Sequence, residues 1–104
     1  PPAIMRESFK TIIDFIWLPH IIDKLSWKHG VTIDEAEQVL GSGRFYFAES
    51  GITEGEDVYF AAGRTDAGRY LLVFFIFKKT HDALILSARE MTPRERRRYA
   101  AKKS

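Results

Sequence analysis

The chain has 104 residues, of which 45% are hydrophobic, 29% are charged and 13% are aromatic. This length suits one domain, and the apolar content is too high for a disordered chain. The absence of cysteine excludes disulfide frameworks, thiolate zinc sites and cysteine nucleophiles. The longest apolar run, Tyr70 to Phe77, is far shorter than the roughly 20 residues that span a bilayer. We therefore predict one globular domain over residues 1–104 and, since no signal-peptide pattern is present, a cytoplasmic location.

The net charge of +2 is unevenly distributed along the chain. Between Arg89 and Ser104, seven basic and two acidic residues give a local charge of +5, which leaves −3 on the other 88 residues. A basic end on an acidic body predicts binding to a polyanion or to an acidic partner. The alternative is a solvated helix face that only aids solubility.

The first third of the chain predicts helices. Apolar residues at helical spacing from Phe9 to Trp17 indicate a first helix, although residues 11–17 also fit a short strand. Pro19 suits the first turn of the next helix, and Gly30 suits the left-handed position that ends it. The capping-box spacing Thr32-Ile-Asp-Glu35 then predicts a short helix that glycines stop by position 43.

Four strand-like runs occupy the middle of the chain. They are Arg44 to Ala48, Asp57 to Gly63, Arg69 to Lys78 and Ala83 to Arg89. The third run lacks polar alternation, which predicts that Tyr70 to Phe77 is an inner strand buried on both faces. The turns between the last three runs are too short for parallel crossovers, so these strands should be antiparallel neighbours.

The C-terminal segment predicts a basic helix. Thr92-Pro-Arg-Glu95 repeats the capping-box spacing and indicates a start at Pro93 and an end near Lys102. At 3.6 residues per turn, Arg94, Arg97 and Arg98 share one face, and Arg96 and Tyr99 point elsewhere. The element order predicts an α+β fold with about four antiparallel strands, two N-terminal helices and one C-terminal basic helix, the helices packing on one sheet face.

Several polar residues have the chemistry needed to act on a phosphodiester. Lys28 and His29 combine a compact cation with a group that titrates near neutral pH, although basic residues also cap helix ends. Arg64 and Arg89 each follow small residues at the end of a predicted strand, where a phosphate pocket or surface ion pairs are the two alternatives. Glu56 is a candidate proton acceptor, or else part of an acidic turn.

Other site types are poorly supported. The chain has no His-x-x-x-His pair, nucleophile elbow, phosphate-binding loop or acidic calcium loop, so metal hydrolases, serine hydrolases and nucleotide triphosphatases are disfavoured and no cofactor or metal is predicted. Aromatic residues of the strand-like runs could stack nucleobases if they are exposed, but their spacing favours core and cross-strand packing. These residues are Phe45, Tyr46, Phe47 and Tyr70.

A series of short motifs resembles one known family. In order they are Trp17, Trp27-Lys28-His29-Gly30-Val31, Gly55-Glu56, Ala62-Gly63-Arg64-Thr65, Ser87-Ala88-Arg89 and Thr92-Pro-Arg-Glu-Arg-Arg-Arg-Tyr99. Together they resemble the BrnT family, ribonuclease toxins of bacterial type II toxin-antitoxin systems with a compact fold similar to RelE toxins. The resemblance runs from about Phe15 to Tyr99 and leaves an extra N-terminal segment at residues 1–14.

The resemblance implies a metal-independent endoribonuclease. Its site residues would be Lys28, His29, Glu56, Arg64 and Arg89, and its RNA-binding residues Arg94, Arg97 and Arg98. His29 or Glu56 would transfer protons, Lys28 and Arg64 would hold the phosphate, and Arg89 would stabilise the transition state. We expect Lys28, His29, Arg64 and Arg89 to converge in one polar cleft.

The resemblance also implies partners. RNA and a cognate BrnA-like antitoxin are expected, no membrane is involved, and a homodimer is left open. Where the family usually has an acidic residue, a lysine and an asparagine, this chain has Leu18, Ile21 and Leu25. These apolar replacements motivate a second hypothesis, a non-catalytic module with the same fold that binds an acidic antitoxin-like partner or nucleic acid.

Overall fold

The fold is known from a computed structural model that describes residues 12–51 and 56–103. Within those ranges the elements, in chain order, are β1 (Asp14–Ile16), α1 (Pro19–Lys24, continued by a π-helical turn at Leu25–His29), α2 (Ile33–Ser42), β2 (Arg44–Glu49), β3 (Val58–Arg64), β4 (Tyr70–Phe77), β5 (Asp82–Glu90) and α3 (Pro93–Lys103). None of the helices in this part of the chain is long and apolar enough to cross a membrane.

The strands form one mixed sheet in the order β1-β5-β4-β3-β2. β2 to β5 are antiparallel neighbours, and β4 pairs with β3 from Tyr70 to Ile76 and with β5 from Leu71 to Phe77. This confirms the inner position predicted for Tyr70–Phe77. The predicted count of about four antiparallel strands is wrong, because β1 adds a fifth strand that pairs in parallel with β5.

Of the two forms predicted for the N-terminal segment, the structure has the short strand, at Asp14–Ile16, and not the helix. Asp14 pairs with Asp82 and Ile16 with Leu84, and the Ile13 N–H donates to the carbonyl of His81 at 2.9 Å. Phe9, the first apolar residue of the helical series, lies outside the described part of the chain, and so does Thr11. In a segment with so few apolar residues, the same positions fit both the helical repeat and the strand repeat. Hydrogen bonding to the distant strand β5 decides in favour of the strand.

The helix boundaries follow the local signals in the sequence. Gly30 adopts φ 61° and ends the first helical segment, a left-handed conformation that glycine accepts without strain. At the start of α2, the Glu35 N–H donates to Thr32 Oγ1 at 3.1 Å and the Thr32 N–H donates to Glu35 Oε1 at 3.1 Å. The same reciprocal pair joins Thr92 and Glu95 at the start of α3. Both predicted capping boxes are confirmed.

The two faces of the sheet carry different layers. On one face, which we call the α1–α2 face, Leu71, Val73 and Phe75 of β4 are buried in one apolar cluster with residues of α1, α2 and the turn between them. On the other face, Leu72 belongs to a second cluster that includes Tyr99 of α3. The prediction that all helices pack on one face is therefore wrong. Because β4 is apolar on both sides, it can be covered by separate helical layers.

Candidate nucleic-acid interface

Three arginines project from the sheet face opposite the α1–α2 face. The strand register aligns Arg44, Ala62, Leu72 and Arg89 in one row across β2 to β5. Directly paired residues point to the same face, so Arg44 and Arg89 lie on the same side as the buried Leu72. Arg64 pairs with Tyr70 on this side also. We call the surface formed by Arg44, Arg64, Arg89 and the residues between them the arginine face.

Aromatic rings support the guanidinium groups of the arginine face. The distances from the guanidinium carbon to the ring centre are 4.2 Å for Arg44 over Tyr99, 4.4 Å for Arg96 over Tyr70, 5.7 Å for Arg64 over Tyr70 and 5.8 Å for Arg89 over Phe74. A cation within about 6 Å of a ring centre is attracted to the electron-rich face of that ring. The rings therefore orient these guanidinium groups without neutralising their positive charge.

Arg44 joins the sheet to the C-terminal helix. Its Nη2 donates to the main-chain carbonyl of Tyr99 at 2.6 Å, so the residue holds α3 through a hydrogen bond as well as through the ring contact. The sequence analysis did not select Arg44. A signal was available, because Arg44 and Tyr46 alternate with Phe45 and therefore face the same side of a strand.

Arg89 is the one cation of the arginine face that has a described carboxylate partner. Its Nη1 and Nη2 donate to Glu95 Oε1 and Oε2 at 2.7 and 2.9 Å. Hydrogen bonding to Arg89 lowers the pKa of Glu95 to about 2, against an opposing effect of burial. Hydrogen bonding to Glu95 likewise raises the pKa of Arg89. At neutral pH both groups are therefore ionised, and they form an ion pair whose net charge is zero.

The remaining cations lack a carboxylate partner among the described residues. Within the described ranges, no salt bridge joins a carboxylate to Arg44, to Arg64 or to the arginines of α3. The α3 arginines are all exposed, namely Arg94, Arg96, Arg97 and Arg98. Arg96 and Tyr99 point towards Tyr70, whereas Arg98 lines a groove on one flank of the helix and Arg97 a pocket on the other. Since Arg97 lines its pocket together with Arg96, and Arg98 lines the groove together with Tyr99, the predicted common face of Arg94, Arg97 and Arg98 stays a prediction.

A groove separates part of α3 from the sheet. It has a volume of about 200 Å³. The side chains from the sheet are mostly apolar or aromatic, and those from the helix combine charged groups with the ring of Tyr99. The lining includes Phe60, Ala62, Leu72 and Met91 from the sheet side and Glu95 and Arg98 from the helix.

The other predicted site residues lie apart from the arginine face. Lys28 and His29 end the π-helical turn of α1, whose Leu25 is buried in the cluster of the α1–α2 face. They lie at the same end of the sheet as Arg64, because Arg69 at the β3–β4 turn donates to the carbonyl of Gly30 at 2.8 Å. The four residues therefore share an end of the sheet, and their expected convergence in one cleft stays a prediction.

Glu56 lies at the opposite end of the sheet. It is exposed and precedes β3, whereas Arg64 ends that strand. Seven extended residues span roughly 20 Å. The first half of the predicted acidic turn, Glu54 and Gly55, lies outside the described residues.

The described residues do not form a metal-ligand set. In the described part of the chain, no group of three histidine, aspartate or glutamate side chains is close enough together to hold an ion.

Comparison with known proteins identifies the family. None of the curated proteins compared with the chain matches it. A family model described as the ribonuclease toxin BrnT of type II toxin-antitoxin systems matches residues 21–95. This range includes α1 from its third residue onwards, α2, all of β2 to β5 and the start of α3. Because the match covers well over half of the sequence, the chain belongs to the BrnT family of ribonuclease toxins.

Proposed function

We propose that this chain is an endoribonuclease that cleaves RNA by metal-independent general acid/base chemistry. In this reaction the 2′-hydroxyl attacks the adjacent phosphorus, the 5′-oxygen of the next nucleotide leaves, and a 2′,3′-cyclic phosphate remains. A base must accept the 2′-hydroxyl proton, an acid must protonate the leaving oxygen, and cations must stabilise the charge on the phosphate.

The observation that carries the proposal is the arginine face. Arg44 and Arg89 lie three strands apart, which corresponds to roughly 14 Å. Arg64 lies further along the same face, and the α3 arginines stand beside it. Cations spread over this distance suit successive phosphates of one strand better than a single small anion. Aromatic rings between them suit unpaired bases, which double-stranded RNA does not present.

The roles of individual residues extend this proposal. Arg64 holds the scissile phosphate, and Arg89 stabilises the transition state after exchanging its Glu95 partner for the phosphate. Of the two proton-transfer candidates, His29 is better supported than Glu56, because it lies at the same end of the sheet as Arg64. Lys28, which directly precedes His29, holds the same phosphate together with Arg64. Arg94, Arg97 and Arg98 bind flanking phosphates.

A cognate antitoxin is the second proposed partner. The family consists of toxins of type II toxin-antitoxin systems, which implies an antitoxin protein. A BrnA-like antitoxin that presents carboxylates to the arginine face would cover the same cations as RNA and would thereby inhibit cleavage. A homodimer remains a prediction from the sequence.

The alternative function is a binding module without catalysis. Two of the three apolar replacements that motivated it are core residues, since Ile21 and Leu25 are 8% and 1% exposed and pack on the α1–α2 face. The observation that still favours it is Trp27, which is 77% exposed on the π-helical turn. A large exposed ring is typical of protein-binding surfaces.

Cleavage of RNA in EDTA tests the proposal. The wild-type protein should release products that carry a 2′,3′-cyclic phosphate and a 5′-hydroxyl, and a single 2′-deoxy substitution at a cleaved position should block cleavage there. Arg64→Gln should lower the rate by roughly 100-fold, because one well-placed donor to the reacting group is lost. Lys79→Gln removes the same charge from the exposed β4–β5 turn at the far end of the sheet and serves as the control.

The outcomes separate the two functions. Products with 5′-phosphates, or cleavage that stops in EDTA, would contradict the proposed chemistry. Intact RNA at high protein excess, together with tight capture of the antitoxin, would favour the binding module.

A further inference from the structure

We infer that the groove between α3 and the sheet is a subsite for one unpaired nucleobase of the bound RNA. This inference rests on the proposed RNA substrate and names the place on the arginine face where one of its bases binds.

The floor of the groove is formed by apolar side chains that are almost fully buried. Ala62, Leu72 and Met91 are 5%, 6% and 7% exposed and belong to one cluster. Ala62 lies in the row between Arg44 and Leu72, so its small side chain leaves space above the middle of the sheet. A mostly apolar concave site with few polar groups is the usual form of a small-ligand pocket.

Aromatic rings flank this floor. Phe60 lines the groove and stacks on Tyr46, with ring centres 5.2 Å apart and planes inclined by 23°. Tyr99 lines the helix side and carries the Arg44 guanidinium on its ring. Proteins that bind single-stranded RNA stack bases on such rings and on arginine planes. A flat aromatic base therefore matches the groove better than an aliphatic side chain does.

The charges around the groove favour a nucleotide over a neutral apolar ligand. Arg98 lines the groove itself, and Arg44 and Arg89 stand at the two ends of the row that contains Ala62. Phosphates on either side of an inserted base would therefore meet cations. The groove is a subsite within a cationic surface, which is the arrangement expected for single-strand binding.

One polar group in the groove can also bind the edge of a base. Glu95 Oε1 accepts from Arg89 Nη1 and from the Thr92 N–H, whereas Oε2 accepts only from Arg89 Nη2 among the described bonds. A carboxylate oxygen has two acceptor positions, so Oε2 can accept one more hydrogen bond. An N–H or amino group of a base supplies that donor.

Binding of an intact and an abasic oligonucleotide tests the inference. Both oligomers carry 2′-O-methyl groups to prevent cleavage and have the same number of phosphates. The full-length wild-type protein should bind the intact oligomer roughly 10- to 100-fold more tightly, which is the usual effect of stacking a base on an aromatic ring. A 2-aminopurine in the intact oligomer should lose fluorescence on binding.

Three variants locate the effect. Ala62→Leu fills the groove and Phe60→Ala removes one wall, so each should bring the affinity ratio close to 1 while leaving the abasic oligomer bound. Ala101→Leu makes the same change as Ala62→Leu on the exposed outer side of α3 and should keep the wild-type ratio. The two groove variants change the site in opposite ways, so a folding defect in one does not remove the test.

Each outcome bears on one proposal. A wild-type ratio near 1, or an unchanged ratio in both groove variants, overturns the base subsite even if RNA is cleaved. If Ala62→Leu keeps the ratio but abolishes antitoxin binding, the groove is a protein-docking site and the inference is wrong. If neither oligomer binds at low salt, the proposed RNA substrate fails as well.

Discussion

The two faces of the sheet are built from the same strands but differ in what they leave exposed. On the α1–α2 face, Val73 and Phe75 are completely buried. On the arginine face, Phe74 and Tyr70 of the same strand are only half-buried. One face therefore supplies most of the buried apolar area that stabilises the fold, whereas the other keeps aromatic rings within reach of a ligand.

The charged groups differ in the same way. Arg69, at the rim of the α1–α2 face, donates to Glu35 at 2.9 Å and to Glu90 at 3.2 Å, so two carboxylates surround one cation. On the arginine face, one carboxylate, Glu95, stands among several cations. A cation that is paired with carboxylates helps to hold the fold together. A surface with an excess of positive charge attracts an anionic ligand.

The largest expected effect concerns the core of the α1–α2 face. Phe75→Ala should lower the free energy of unfolding by about 3–5 kcal/mol, because it leaves a cavity beside Phe45 and Tyr59. Phe74→Ala, on the opposite side of the same strand, should cost only about 1–2 kcal/mol, because less apolar area is lost. Urea unfolding followed by circular dichroism measures both. Equal losses would mean that the two faces contribute equally to stability.

The next effect concerns the helix arginines. Replacing Arg94, Arg97 and Arg98 by glutamine should weaken binding of single-stranded RNA on the order of 100-fold at 0.1 M salt. The slope of log K against log salt should fall by about 2, since each phosphate contact on a single strand contributes about 0.7. Binding should weaken almost equally for all RNA sequences. Titrations at several salt concentrations measure these changes.

A matched control tests whether the position of the charge matters. Replacing Lys24, Lys78 and Lys79 by glutamine removes the same charge from α1 and the β4–β5 turn. If this variant loses as much affinity as the arginine variant, net charge and not the arginine face determines binding. If only antitoxin capture is lost from the arginine variant, α3 is a protein-docking element.

The two capping boxes allow a smaller comparison. Glu35→Gln and Glu95→Gln each weaken a capping box and an ion pair to an arginine of the sheet or of its β3–β4 turn, so each should lower the free energy of unfolding by about 1–2 kcal/mol. Only Glu95→Gln should tighten binding of the abasic oligomer, by about five-fold at 0.1 M salt, because it frees the charge of Arg89. A similar gain in Glu35→Gln would contradict the division between the faces.

The smallest effect is a pH dependence. Because Arg89 lowers the pKa of Glu95 to about 2, below its ordinary value of 4.5, the ionised carboxylate stabilises the fold at pH above about 4.5. This contribution is lost as the pH falls from about 4.5 to about 2. The stability gap between wild type and Glu95→Gln should therefore be constant from pH 7 to pH 5 and shrink below pH 4.5. A gap that stays constant to pH 2.5 would show that Arg89 does not hold the carboxylate.

Features governed by local interactions were predictable from the sequence. The starts of α2 and α3 follow from a threonine and a glutamate three positions apart, and the hydrogen bonds of each capping box lie within one helical turn. The inner position of β4 follows from its own composition, because a strand without polar positions has no side that can face water.

Features governed by distant contacts were not predictable. β1 is a strand because of its pairing with β5, and no residue near Phe15 encodes that pairing. The same limit applied to the site. Arg64 and Arg89 were selected singly, but their common face depends on the register of β3, β4 and β5.

The parallel pairing of β1 with β5 affects how the protein folds during synthesis. Asp14 meets Asp82 68 positions later, and Arg44 receives its Tyr99 partner later still. During translation at roughly 5–20 residues per second, the N-terminal strand waits several seconds for its neighbour. The contacts between the arginine face and α3 therefore form only after all five strands have been synthesised. A chain interrupted between β5 and α3 would contain every strand of the core but would lack the helix that holds Arg44.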